Sequence, residues 1–342
     1  MNRNLPRSLQ SRRNSKIKIR NSNLQRLQSR RNSKFKIRNS NLQRLLSLAA
    51  VAVAALALAT ACGKDQPAPI QEQLDGFDPR GASLAKFSVG INRHVRFSRG
   101  NMQFQASTRQ WRFAPNQYDF CGTANENISA TSPQWIDLFG FGTSGWEKSG
   151  ASFFQPWETS DSAAGYGPGT NSLAGNTIQA DWAYFNPIQY GGDTAKYWRT
   201  LSAAEWRYLL TGRNNAVNKI TTATVCGVKG LIILPDEWTP PQGISITANL
   251  SDTVDFEYTD VNKYSPDDWR KLQASGVIFL PAAGSRTIRK TTDVQRYGYY
   301  WSSSAASEET ANCLAFSART LHPETPLLRH YGLALRPVVD AR

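Results

Sequence analysis

The chain is poor in the residues that build metal and redox centres. It has four Cys, two Met and three His in 342 residues. No two Cys stand in a C-x-x-C spacing, which removes the usual zinc arrangement. No apolar run reaches the roughly 20 residues that a membrane-spanning helix needs. No Gly-rich loop follows a strand and opens a helix, as a phosphate-binding loop does. Gly165–Gly169 carries a Pro and aromatic neighbours and reads as a turn. Residues 1–61 contain no Asp or Glu at all.

That last absence decides how the charge is read. A formal net charge of +14 and a pI near 9.8 point toward nucleic acid or an anionic membrane. Yet 14 of the 40 Lys and Arg lie in residues 1–61, which leaves 26 basic against 26 acidic residues in 62–342. The neutral remainder argues against nucleic acid as a partner. With 40% hydrophobic and 11% aromatic residues, the chain has enough apolar surface for a core, which excludes global disorder. The stretch beyond residue 80 is about 260 residues, enough for one large domain or two small ones.

Residues 9–26 and 27–44 are tandem copies that differ only at Ile17 against Phe35. An apolar run, Leu45–Leu58, follows, and then Ala59-Thr60-Ala61-Cys62. A basic start, a short apolar run and small residues before a cut are the parts of a secretory signal. Small residues followed by Cys resemble a bacterial lipobox, although Leu58 lies one position further from the Cys than usual. The resemblance implies lipid on the Cys62 thiol and anchoring in the outer membrane at the cell surface. An ordinary signal peptide with an incidental Cys62 is the alternative. The expected organisation is a signal peptide over 1–61, a lipidated Cys and flexible tether over 62–84, and a domain over 85–342.

Within that domain, period-2 alternation at Phe87, Val89 and Ile91, at Val95 and Phe97, and at Met102 and Phe104 predicts short antiparallel strands with tight turns. Gln110–Phe113 is expected to add another. Phe139–Ala180, rich in Gly, Ser and aromatics, has no helical period and reads as a long loop anchored by its aromatics. Ser202 with Glu205 forms a capping box ahead of Trp206, Leu209 and Leu210, and Gly212 stops that helix. Ser265-Pro266 opens a second helix with Trp269 and Leu272 facing inward. Strands are expected at Val225–Leu234, Val277–Leu280, Tyr299–Ser303, Asn312–Ser317 and Tyr331–Val339. The fold class is α+β, with few helices, many short strands and long irregular loops. Cys121, Cys226 and Cys313 leave one disulfide plus a free thiol, or three buried thiols, equally open.

Several of these stretches form a pattern in order. Trp198-Arg199-Thr200-Leu201-Ser202 with Glu205-Trp206, then Phe279–Arg286, Gly298–Ser304 and Gly332–Val338, resemble the C-type-lectin-like fold of the formylglycine-generating-enzyme kind, as found in a group of Bacteroidetes lipoproteins. The resemblance spans about residues 86–339 and implies a C-type-lectin-like domain. It does not by itself imply the enzyme's activity, which relies on a cysteine pair that this chain does not offer in sequence.

The candidate site is the stretch 305–331. Apolar residues Ala311, Leu314, Phe316, Leu321 and Pro323 recur there as fixed positions. Between them lie Ala306, Ser307, Thr310, Asn312, Cys313, Ala315, Ala318, Arg319, Thr320, His322, Pro326, Leu327, Leu328, His330 and Tyr331. Every one of these residue types is encoded by a codon ending NNC. Glu308, Glu309 and Glu324 are not and would be scaffold. This resembles the variable region of proteins diversified by retroelements, and it implies ligand binding by a variable face without cofactor or metal. A protein or a glycan is the expected ligand. Exposed Pro326, Leu327 and Leu328 would suit a protein-binding patch. The alternatives are an enzyme of the same fold, with Cys313 as nucleophile, and a pilus or adhesin subunit processed between Arg80 and Gly81. The acidic cluster Asp252, Asp255, Glu257 and Asp260 reads as a solvated edge, with Ca²⁺ as the other reading.

Overall fold

The computed structural model describes residues 75–146, 154–248 and 262–341. Cys62 and the acidic cluster at 252–260 lie outside the described residues. Among the described residues no helix is long and apolar enough to cross a membrane.

The alternating stretch forms β1 (Phe87–Gly90), β2 (Arg93–Phe97), β3 (Met102–Gln105) and β4 (Gln110–Phe113). β5 (Trp135–Ile136) pairs with β3, and a short α1 (Trp182–Phe185) follows the irregular segment. α2 (Ala203–Arg207) runs into a π-helical turn over Tyr208–Gly212. β6 (Ile220–Val225), β7 (Val228–Ile233) and β8 (Lys263–Tyr264) lead to α3 (Pro266–Ala274). The rest is strand: β9 (Ile278–Pro281), the hairpin β10 (Ser285–Thr287) and β11 (Lys290–Thr292), β12 (Tyr297–Ala305), β13 (Thr310–Ser317), β14 (Leu321–Leu328) and β15 (Val338–Ala341). The architecture is α+β, with several small sheets and few helices. The sheet orders are β1-β2-β15, β4-β3-β5, β8-β6-β7-β9, β10-β11 and β12-β13-β14. β15 returns to pair antiparallel with β2, so the two ends of the domain share a sheet.

Both helix starts follow the local chemistry. Ser202 Oγ accepts from the Glu205 N–H at 3.2 Å, and the Glu205 carboxylate accepts from the Ser202 N–H at 2.8 Å. Ser265 caps α3 through the Asp268 N–H, with Pro266 in the first turn. Such caps contribute about 1 kcal/mol each. The α3 helix ends at Gly276, whose φ of +89° favours a residue without Cβ.

The order of motifs turns out to be an order of buried supports. The Trp198 indole donates to the Gly191 carbonyl at 2.8 Å. Arg199 forks onto both oxygens of buried Glu205 at 2.9 Å each and also reaches Asp340. Thr200 donates through its N–H and hydroxyl to buried Asp181. The Tyr300 hydroxyl donates to the Pro281 carbonyl at 2.9 Å, and the Trp301 indole donates to the Phe139 carbonyl at 2.7 Å. Arg336 reaches Asn101 and Gln117 inside the core. Apart from the exposed Asp340, the acceptors are buried where water cannot serve them.

Four expectations are corrected. Residues 75–84 are not part of a loose tether: Phe77 is packed in the core, Ala82 is fully buried and pairs with Ser98, and the domain begins ahead of residue 85. Ile91 leaves the alternating set, 82% exposed, because the chain turns there and Asn92 takes φ +55°. Val225–Leu234 is no single strand. Cys226 and Gly227, at φ +50° and +83°, make the two-residue turn of a β6–β7 hairpin. Tyr331–Val339 contributes isolated bridges before β15 begins at Val338.

Candidate functional site

The stretch 305–331 runs from the end of β12 through β13 and β14, two strands of the β12-β13-β14 sheet, with the turns around them. β13 is the middle strand, between two cores. Tyr300, Leu314 and Phe316 belong to one core, and Trp301, Ala311 and Cys313 to the other. β14 is the edge strand and carries Pro323 and Pro326, each lacking an N–H. An edge position is where a sheet tolerates that loss.

The expected division of residues meets this geometry in a definite way. Ala311, Leu314 and Phe316 are fully buried, and Leu321 and Pro323 are half-buried. Ala306, Ser307, Arg319, Thr320, His322 and Pro326 are exposed. Thr310, Asn312, Ala318, Leu327, Leu328, His330 and Tyr331 are half-buried. Two residues fall the other way. Cys313 is 0% exposed in the core against Trp301, and Ala315 is 7% exposed beside Tyr299. Both are on the row opposite Leu314 and Phe316, in a strand whose middle is covered on both sides, so neither presents a surface for a ligand. Of the three Glu expected as scaffold, Glu324 is held by Arg207 at 2.9 Å and Glu309 offers its carbonyl to the Arg329 N–H at 2.9 Å.

Cross-strand pairing aligns Tyr299, Ala315 and His322 in one row and Trp301, Cys313 and Thr325 in the next. Tyr299, Leu327 and Tyr331 pack on the rim of the core under Trp301. Tyr297 and Tyr299 stack at 5.9 Å with 11° between ring planes. These two tyrosines, with Thr325, complete the face but were not among the expected residues. The alternation along Tyr297, Tyr299 and Trp301 was the signal that could have found them. Burial pushes the Tyr299 phenol up to about 12, with Asp293, Tyr297, Cys313 and Tyr331 acting in the same direction. It is therefore a neutral hydroxyl at physiological pH. His330 meets Tyr331 edge-on at 5.0 Å. Burial holds its imidazole below the ordinary value, against the pull of Asp161 and with the push of Arg286, and its Nδ1 makes no hydrogen bond among the described residues. Arg286, itself fully buried, joins its own hairpin tip at the Ile288 carbonyl to the Glu158 carbonyl.

The chain matches no protein-family model, no curated protein and no solved structure. The site is read from its geometry.

Among the described residues, clefts lie elsewhere. One of about 810 Å³ is lined by Arg80, Lys86, Arg96, Tyr197 and Asp340. One of about 420 Å³ sits between the β1–β2 turn and α2, and one of about 370 Å³ borders Trp269 and Gln273. None is lined by residues of 305–331. The Cys313 thiol is pushed up by burial, which disfavours the thiolate that a nucleophile needs. Cys121, Cys226 and Cys313 are all free thiols. Ser88 donates to Asp236 at 2.8 Å, and His94 Nε2 is 3.8 Å from the same carboxylate oxygen. A serine relay places the His between Ser and Asp; here the carboxylate stands between. The Arg80–Gly81 bond lies in a turn in which Asp78 accepts from the Arg80, Gly81 and Ala82 N–H groups. Protease access there requires the turn to open and Ala82 to leave the core.

Proposed function

We propose that this chain is a surface-displayed lipoprotein, anchored through Cys62, whose C-type-lectin-like domain binds a protein or glycan through the β12-β13-β14 face. The observation that carries the reading is the division of side chains on that sheet. Apolar positions expected to be fixed are buried or half-buried, and thirteen of the fifteen interspersed positions reach solvent. A surface of this kind changes its ligand chemistry while its core stays the same. The C-type-lectin-like assignment is supported by the α+β build and by the meeting of the first and last strands in one sheet. The supporting aromatics, Tyr297, Tyr299 and Tyr331, supply rigid contact area at low entropic cost.

Two experiments test this. Sequencing the DNA beside the gene is expected to find a reverse-transcriptase gene and a near-repeat of codons 299–339 that differs only opposite adenines. Absence of both removes diversification and leaves an undiversified lectin-like lipoprotein. Metabolic labelling with a radioactive fatty acid is expected to mark the protein and to fail for Cys62→Ser. Labelling that persists in the variant removes the anchor.

A further inference from the structure

We infer that Arg329 is a positioning residue: it fixes the backbone of the recognition face through contacts that do not depend on the side chains displayed there. The inference rests on the proposed binding face for its meaning, but its geometry stands apart.

Arg329 sits among the candidate positions 326–331 and yet is 0% exposed. Its guanidinium donates to four main-chain carbonyls: Thr310 at 3.3 Å, Tyr166 at 3.0 Å, Ser307 at 2.7 Å, and Gly169. Its central carbon lies 5.0 Å from the centroid of the Phe141 ring. Its own N–H donates to the Glu309 carbonyl at 2.9 Å, and its carbonyl accepts from the Phe141 N–H at 2.8 Å. One buried side chain therefore joins the exit from β14 to the turn at 307–310, to Phe141 and to the irregular stretch at 166–169.

The type of acceptor matters most. Every hydrogen bond from this side chain ends on a main-chain carbonyl, and a carbonyl remains when its residue is exchanged. Substitution at 306, 307, 310, 327, 328 or 330 leaves the acceptors in place. Arginine suits the task because its donors are spread over a rigid planar fork, whereas a lysine ammonium is a single point with three donors. The surface turn and the irregular segment beneath it thus share one support, and the displayed residues are free to differ.

Hydrogen exchange of the full chain, read by mass spectrometry, tests this. In the unmodified protein, residues 166–169 and 307–310 are expected to open together, with protection equal to within about threefold. The conservative Arg329→Lys variant is expected to lose at least about tenfold protection in both stretches and none in the β6–β7 hairpin. A combined exchange of displayed residues, Ala306→Asp, Pro326→Ser, Leu328→Asn and His330→Asn, is expected to keep protection in both stretches within about threefold. Full protection in Arg329→Lys overturns the inference, as does loss of protection in the combined exchange. If Arg329→Lys does not fold, independent opening of the two stretches in the unmodified protein overturns it equally. Gene sequence and lipid labelling decide the proposed function, so either can fail without the other.

Discussion

The β6–β7 hairpin and the irregular stretches 137–146 and 154–173 solve the same problem by different means. In the hairpin, six consecutive pairs from Ile220↔Ile233 to Val225↔Val228 satisfy the backbone by ladder. In the irregular stretches, scattered main-chain bonds such as those of Phe139 with Leu333 are supplemented by buried side chains. The Asn125 carboxamide oxygen accepts the Asp137 and Leu138 N–H groups. Trp301 serves the Phe139 carbonyl, and Arg329 serves those of Tyr166 and Gly169. A ladder is insensitive to most single side chains. A stitched loop depends more on a few of them, and each one lost takes a hydrogen bond away from a buried carbonyl or N–H.

The strongest way to break this comparison is Trp301→Phe. It removes the indole N–H under the Phe139 carbonyl and leaves a void at a fully buried position; a loss of about 3 kcal/mol is expected in denaturant unfolding. A loss below 1 kcal/mol would mean that the segment does not rely on that stitch. The second test is acidity. Burial pushes the Asp137 carboxyl up to about 6, against hydrogen bonds from Asn125 and Cys121. Between about pH 4 and 6 the folded state then holds a proton that the unfolded state has released. The contribution of this one group to stability is greatest below pH 4, falls by about 3 kcal/mol as pH rises to 6, and is level above. Asp181, raised by burial in the same way, adds in the same direction. Asp137→Asn should flatten much of that slope in pH-dependent unfolding; an unchanged slope places its cause elsewhere. Within the ladder, Ile232→Val should cost only about 1 kcal/mol. The smallest effect sharpens the contrast: Cys226→Asn, at φ +50°, should raise the unfolding free energy by about a few tenths of a kcal/mol in denaturant unfolding, because Asn accepts the left-handed conformation more readily.

Legibility in the sequence followed the range of the interactions. The caps at Ser202 and Ser265 use partners three residues away, and both helices were readable. β1 to β4 alternated clearly. β6 did not, because Ile220–Val225 is buried on both faces and shows no period. β14 was hidden by Pro323 and Pro326, which argue against a strand until its edge position is known. In the candidate site, the spacing of Leu314 and Phe316 marked the inward side, but Cys313 and Ala315 were misplaced because β13 has no solvent side over its middle. Arg329 was invisible, since arginine is rarely buried and its partners lie up to 163 residues away.

The edge of β14 also bears on life in a crowd. On the proposed anchoring, chains tethered to one membrane would meet at high effective concentration, where a bare strand edge recruits its neighbours into a growing sheet. Pro323, Glu324 and Pro326 stand in succession along that edge, beside a bulge between Cys313 and Ala315. Missing donors, a charge and a local twist make the edge a poor template. Pro323 and Glu324 lie outside the candidate positions, so part of this protection stays when the residues displayed on the proposed face are exchanged.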